Sequence, residues 1–243
     1  MILISCRGNF DDGVNFGPQL AHNGAANVPS WQAEIPASTI LIHGYHSTAG
    51  AAEESYGVAE AAMPGSRMLG YLWPGGAIAI DYMLAVIRAR TAGWRLRDAL
   101  FTMPTGDEVD IQTHSLGARV ALESLKYGGL DARHLILSAP AVDHDCFERG
   151  KEFAAAPAHC KSVNVFCSSN DPVLKTDYPL GSFGRQALGL YGPKSIEPWP
   201  VNLRVFDCSR VVHAHGGYRY APEYFAAWRS ILDGSAKPGL TVL

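Results

Sequence analysis

The sequence predicts an α/β protein, a three-layer αβα sandwich around a mostly parallel sheet with no separate cap domain. Three observations lead there. Short apolar runs rich in β-branched residues recur along the chain; each is followed by a polar turn and a stretch with helical spacing; and several runs are apolar throughout, as strands covered on both faces are. The chain has 243 residues, 47% apolar and 18% charged, enough for one large core, so a single domain over 1–243 is expected.

In order, the expected strands are STILIHGY (38–45), SRMLGYLW (66–73), EVDIQTH (108–114), RHLILSAPAV (133–142), KSVNVFCSS (161–169) and NLRVFDCS (202–209), with the opening MILISC joining the edge. Helical spacing marks AGAAEESYGVAEAAM, AIDYMLAVIRARTAGWRLRDALFTM, LGARVALESLKYG, DCFERGKEFAAA and APEYFAAWRSILDG. In the third, Ala118, Val120, Ala121, Leu122 and Leu125 leave a small and aliphatic face for the sheet, and Gly128-Gly129 end it. Right-handed crossovers then stack the layers. Residues 172–200, dense in proline and glycine, read as a long loop with at most one short helix.

Composition narrows the function. A net charge of −3 with acids and bases interspersed offers no stripe for nucleic acid or an anionic membrane. No run approaches the roughly 20 apolar residues of a membrane span, and the start lacks the basic segment and cleavage site of an export signal. Five scattered cysteines without a C-x-x-C pair argue against a disulfide framework and a structural zinc, and fit a reducing cytoplasm. No cofactor is expected, and the oligomeric state stays open.

Ligands of an open parallel sheet bind beyond the carboxyl ends of its strands, and reactive residues gather there. The strand ending at His114 runs through Ser115-Leu116-Gly117 straight into a helix, the strand, turn and helix of a nucleophile elbow. Its alternative is a serine that caps an ordinary helix. Gly117 lets the helix start close to the strand, and the Leu116 amide, at the positive helix end, becomes an oxyanion donor. Thr113 stands where a glycine is usual and is expected to crowd the neighbouring backbone. Upstream, Gly44 allows a turn that brings the Tyr45 amide in as second donor, while His43 packs and supports that loop.

Asp171, just past the strand KSVNVFCSS, is the favoured acid, with Asp143 and Asp145 as rivals. His215, followed by Gly216-Gly217, is the favoured base, with His213 as rival. Ser, then acid, then His is the chain order of α/β-hydrolases. His213-x-His215 also has metal-ligand spacing, and His43, His46 and Asp171 could join it, but a metal site leaves the serine elbow unexplained.

These segments also resemble the bacterial α/β-hydrolases grouped as DUF900, whose members are often described as esterases. The resemblance covers about 38–228 and rests on LIHGY, GYLWPGG followed by Asp81-Tyr82, THSLGARVALESL, LSAPAVDHDCF, CSSNDPVLKT and HGGYRY. It implies the α/β-hydrolase fold, with Ser115 as nucleophile, Asp171 as acid and His215 as base. HSLGA stands where the family commonly has H-S-M-G-N.

The expected activity is hydrolysis of a small carboxylic ester through an acyl-enzyme. The alternatives are a non-catalytic protein using the same cleft for binding or assembly, and a metal-dependent hydrolase. Trp73, Tyr178, Phe183 and Tyr218, with Tyr45 and Trp199, are aromatics placed to line an acyl pocket.

Overall fold

The computed structural model describes residues 2–8, 13–22, 38–76, 81–101, 109–128, 130–194 and 200–243. Along the chain run β1 (Ile2–Arg7), β2 (Phe16–His22), β3 (Ser38–Ile42), α1 (Ala49–Ala62), β4 (Arg67–Leu72), α2 (Tyr82–Phe101), β5 (Val109–His114), α3 (Gly117–Leu125) and β6 (Ala132–Ser138). There follow β7 (Cys160–Cys167), α4 (Pro172–Gly181), α5 (Leu188–Tyr191), β8 (Leu203–Asp207), α6 (Pro222–Leu232) and β9 (Gly239–Val242).

The strands form one sheet in the order β2-β1-β4-β3-β5-β6-β7-β8-β9. Every neighbouring pair is parallel except β1 with β2. The opening strand therefore lies one place inside the edge, covered by β2. Neither β2, broken by Gly17 and Pro18, nor the four-residue β9 carries the apolar run that marks the other strands.

The sheet is mostly parallel, with helices over it as a three-layer sandwich. Ile40, Ile42, Ile111, Leu135, Leu137, Val163 and Val165 are almost wholly buried along its centre. Each such side chain contributes about 1.5–3 kcal/mol by leaving water. On one face α1 and α6 lie together, with the Arg229 guanidinium donating to the Ala62 carbonyl at 2.9 Å. On the other α2 meets α3 so closely that a Cβ at Gly93 would stand 2.5 Å from that of Glu123.

Three segments differ from expectation. DCFERGKEFAAA forms successive turns that lead into a short 3-10 helix (Ala156–His159), because Gly150 takes φ +80° and breaks the helical path. The stretch after 171 holds two helices, α4 and α5, where a long loop with at most one short helix was expected: Asp171 accepts the Leu174 amide at 3.1 Å and Pro172 takes the first helical position, so Asp-Pro starts a helix. β6 stops at Ser138, where Ala139 turns at φ +46° and the Ala141 amide reaches the Ser115 carbonyl.

Candidate active site

Ser115 follows β5 with φ +55°, a left-handed conformation that costs a non-glycine residue about 1 kcal/mol. Backbone bonds hold it there. Its amide donates to the Ser138 carbonyl at 3.0 Å, and its carbonyl accepts from Ala118 and Ala141, both at 3.1 Å. Gly117 lets α3 begin against β3, since a Cβ there would lie 2.5 Å from the His43 carbonyl oxygen. Thr113 is buried in register with Ile42 and Leu137, and the positive-φ turn forms with threonine in that place. Its hydroxyl is buried with no hydrogen-bond partner among the described residues.

His215 Nε2 lies 2.8 Å from Ser115 Oγ, and its Nδ1 lies 2.7 Å from Asp171 Oδ2. A carboxylate can only accept, so Nδ1 carries the proton and Nε2 is left to accept from the serine hydroxyl. Asp171 is fully buried and uses Oδ1 as the cap of α4, which fixes the orientation of Oδ2. The loops after β7 and β8 are tied together: Ser168 donates to the Val212 carbonyl at 2.6 Å, and the Asn170 amide donates to that of Ser209 at 2.7 Å.

The rival residues face elsewhere. Asp143 accepts from Tyr178 at 2.7 Å and pairs with Arg185. Asp145 pairs with Lys151 at 2.7 Å, which holds its carboxyl below the usual range. His213 is exposed, with Nδ1 3.3 Å from the Asn170 side-chain amide. Among the described residues no three His, Cys, Asp or Glu side chains gather as a metal would need.

Two positioning groups escaped the sequence reading. His114 Nε2 donates to the His215 carbonyl at 2.8 Å. Burial, then the neighbouring His215, pushes its pKa down to about 4, so it stays a neutral strut. Arg7, buried on β1, donates to the carbonyls of Trp73 (3.0 Å) and Ser47 (2.8 Å) and to His43 Nε2 (3.1 Å). His43 Nδ1 in turn donates to the Gly44 carbonyl at 2.8 Å, and burial followed by the Arg7 charge lowers its pKa to about 3. A neutral imidazole thus links β1 to the loop at Gly44. That loop is packed on the serine: a Cβ at Gly44 would stand 2.9 Å from Ser115 Cβ. The signal in sequence was only a lone arginine in an apolar strand.

Leu116 is fully buried at the head of α3, and Tyr45 lies beside Tyr82 with ring centroids 5.4 Å apart. Tyr178 and Phe183 line a cavity of about 240 Å³ with Tyr82, Met83 and Asp143. Tyr218 lines a second, of about 260 Å³, between α1 and α6. Trp73, expected at a pocket wall, lines neither: it is fully buried, stacked 5.6 Å from the His43 ring, with Nε1 donating to the His43 carbonyl. A tryptophan so flat against the histidine serves as packing under the loop. Trp199 lies outside the described residues.

A protein family described as alpha/beta hydrolase of unknown function (DUF900) matches residues 33–182, a stretch that contains Ser115 and Asp171 and ends before His215. Among solved structures, the catalytic core domain of acetyl xylan esterase from Trichoderma reesei is similar at 13% identity and a TM-score of 0.47, over 84% of this chain and 100% of that one. RedJ with a PEG molecule bound in its active site is similar at 16% identity and 0.40, over 90% and 84%. Polyneuridine aldehyde esterase is similar at 12% and 0.39, over 86% and 91%. No curated protein matches the sequence. Among the described residues no helix is long and apolar enough to cross a membrane.

Proposed function

The chain belongs to the DUF900 family of α/β-hydrolases, and from that premise we propose that it is a serine hydrolase cleaving small carboxylic esters through an acyl-enzyme. The observation that carries this reading is the hydrogen-bonded run from Asp171 through His215 to Ser115, whose serine is held at positive φ between a strand and a helix.

In this mechanism His215 Nε2 takes the Ser115 proton as Oγ attacks the ester carbonyl, and Asp171 stabilises the imidazolium that forms. The Leu116 and Tyr45 amides hold the oxyanion. Collapse breaks the bond to the alkoxy group, which leaves as the alcohol with the proton from His215. Water, deprotonated by the same imidazole, then attacks the acyl-enzyme and releases the acid and the free serine. The aromatic series Tyr45, Tyr82 and Tyr178 gives an acyl group a face to pack on. The five cysteines are all free, which suits work in a reducing cytoplasm.

The test is turnover of p-nitrophenyl acetate by the wild type and Ser115→Ala. The variant should lose at least about a thousandfold in kcat with its melting curve kept. Equal turnover by both proteins contradicts the assignment, and no turnover of any ester by folded wild type favours a binding protein.

A further inference from the structure

The cavity between α1 and α6 reaches Gly44 and His215 beside the serine, yet has features that cleavage at Ser115 does not require. Its floor lies at the carboxyl ends of the neighbouring strands β5 and β6, where an open parallel sheet takes its ligands. Gln112 and His114 of β5 and Ser138 of β6 form it, the first two only partly buried. The Gln112 amide donates to Tyr224 Oη at 3.2 Å, and Ser138 Oγ lies 2.8 Å from the same oxygen, so the polar floor is ordered. Ala51, Ala52 and Ala59 on the α1 wall leave the space open, and Phe225 and Trp228 on the α6 wall are apolar.

The charge of the lining has one sign. Arg219 lines the cavity and, among the described residues, no aspartate or glutamate does. Its Nε is buried with no hydrogen-bond partner among the described residues, and the same holds for Trp228 Nε1 on the α6 wall. Buried donors without acceptors are costly, and an anionic acceptor offsets most where a guanidinium meets it. At about 260 Å³ the space lies just below the roughly 300–1,000 Å³ of pockets for drug-sized ligands, so the occupant is small.

We infer that this cavity is a binding site for a small organic carboxylate, its charge on Arg219 and its apolar body against Phe225 and Trp228. Binding requires no turnover, so the inference stands or falls separately from the esterase reading.

Benzoate and its neutral relative benzamide, titrated into the full chain by calorimetry with Trp fluorescence alongside, provide the test. Benzoate should bind saturably and at least about tenfold more tightly than benzamide. Arg219→Gln should remove that preference, while Ser115→Ala should bind benzoate as the wild type does. Ser55→Phe, at a partly exposed position of α1 on the cavity wall, should weaken both probes without touching Arg219. Equal affinity for the two probes, unchanged benzoate binding in Arg219→Gln or in Ser55→Phe, loss of binding in Ser115→Ala, or no saturable binding overturns the proposal.

Discussion

Asp171 divides its carboxylate between two tasks, with Oδ2 2.7 Å from Nδ1 of His215 and Oδ1 accepting the Leu174 amide at the head of α4. The residue that orients the imidazole is also the one that starts the helix. Asparagine caps helices about as well as aspartate but carries no charge. Asp171→Asn should therefore stay within about 0.5 kcal/mol of wild-type stability while kcat falls by about 10⁴. Asp171→Ala should lose the rate and about 1 kcal/mol more of stability. Urea melts and ester kinetics on both variants separate the tasks; full activity in Asp171→Asn would remove the aspartate from the mechanism.

The positive φ of Ser115 predicts strain that glycine relieves. Ser115→Gly should abolish ester turnover and raise stability by up to about 1 kcal/mol relative to Ser115→Ala, which keeps the strain. A glycine variant less stable than the alanine one by denaturant melting would mean that the turn stores nothing.

Gly44 and Gly117 both sit under the serine, yet their alanine variants should fail differently. A Cβ at Gly44 meets Ser115 Cβ at 2.9 Å and the His114 carbonyl oxygen at 3.2 Å, so Gly44→Ala should shift the loop that carries the proposed oxyanion donor and cost roughly 10²–10³ in kcat. A Cβ at Gly117 meets the His43 and Ile42 carbonyl oxygens at 2.5 and 2.7 Å, so Gly117→Ala should cost about 1–3 kcal/mol of stability. Kinetics and melts in parallel check this, and the same loss profile in both variants would refute it.

Two histidines that stay neutral predict a pH dependence of stability. His43 and His114 titrate near 3 and 4 in the native state, against 6.5 for an ordinary histidine. Above about pH 6.5 neither state binds these protons. As pH falls below 6.5 the unfolded chain takes them up and the native one does not, so stability declines until the native pKa values are reached. Each proton contributes a slope of up to about 1.4 kcal/mol per pH unit. His114→Asn should make the decline between pH 6 and 4 shallower by up to one such proton, whatever its stability at pH 7; an unchanged slope in urea melts would contradict a neutral His114.

Much of the fold was legible because its six central strands are apolar runs that turn chemistry separates. β2 and β9 were not, since pairing at an edge leaves little trace in side-chain pattern. Residues 172–200 were read as a long loop with at most one short helix, although Asp171-Pro172 is also a helix start, which the capped Leu174 amide reveals. For the site, chain order left Asp143, Asp145 and His213 as rivals, and the resemblance to DUF900 hydrolases favoured Asp171 and His215, which lie in hydrogen-bond contact with each other and with Ser115. Arg7 and His114 stayed hidden because their roles are set by the distant loops they touch. Trp73 was taken for a pocket residue because an aromatic at a strand end looks the same whether it faces a ligand or a buried imidazole.

The central claim is that Ser115 is a nucleophile activated by His215. Its most direct test is labelling of the folded protein with a fluorophosphonate, followed by peptide mass spectrometry. One adduct on Ser115 is expected, absent in Ser115→Ala and slowed by orders of magnitude in His215→Ala. An unlabelled Ser115 in folded wild type, or labelling as fast without His215, would contradict it.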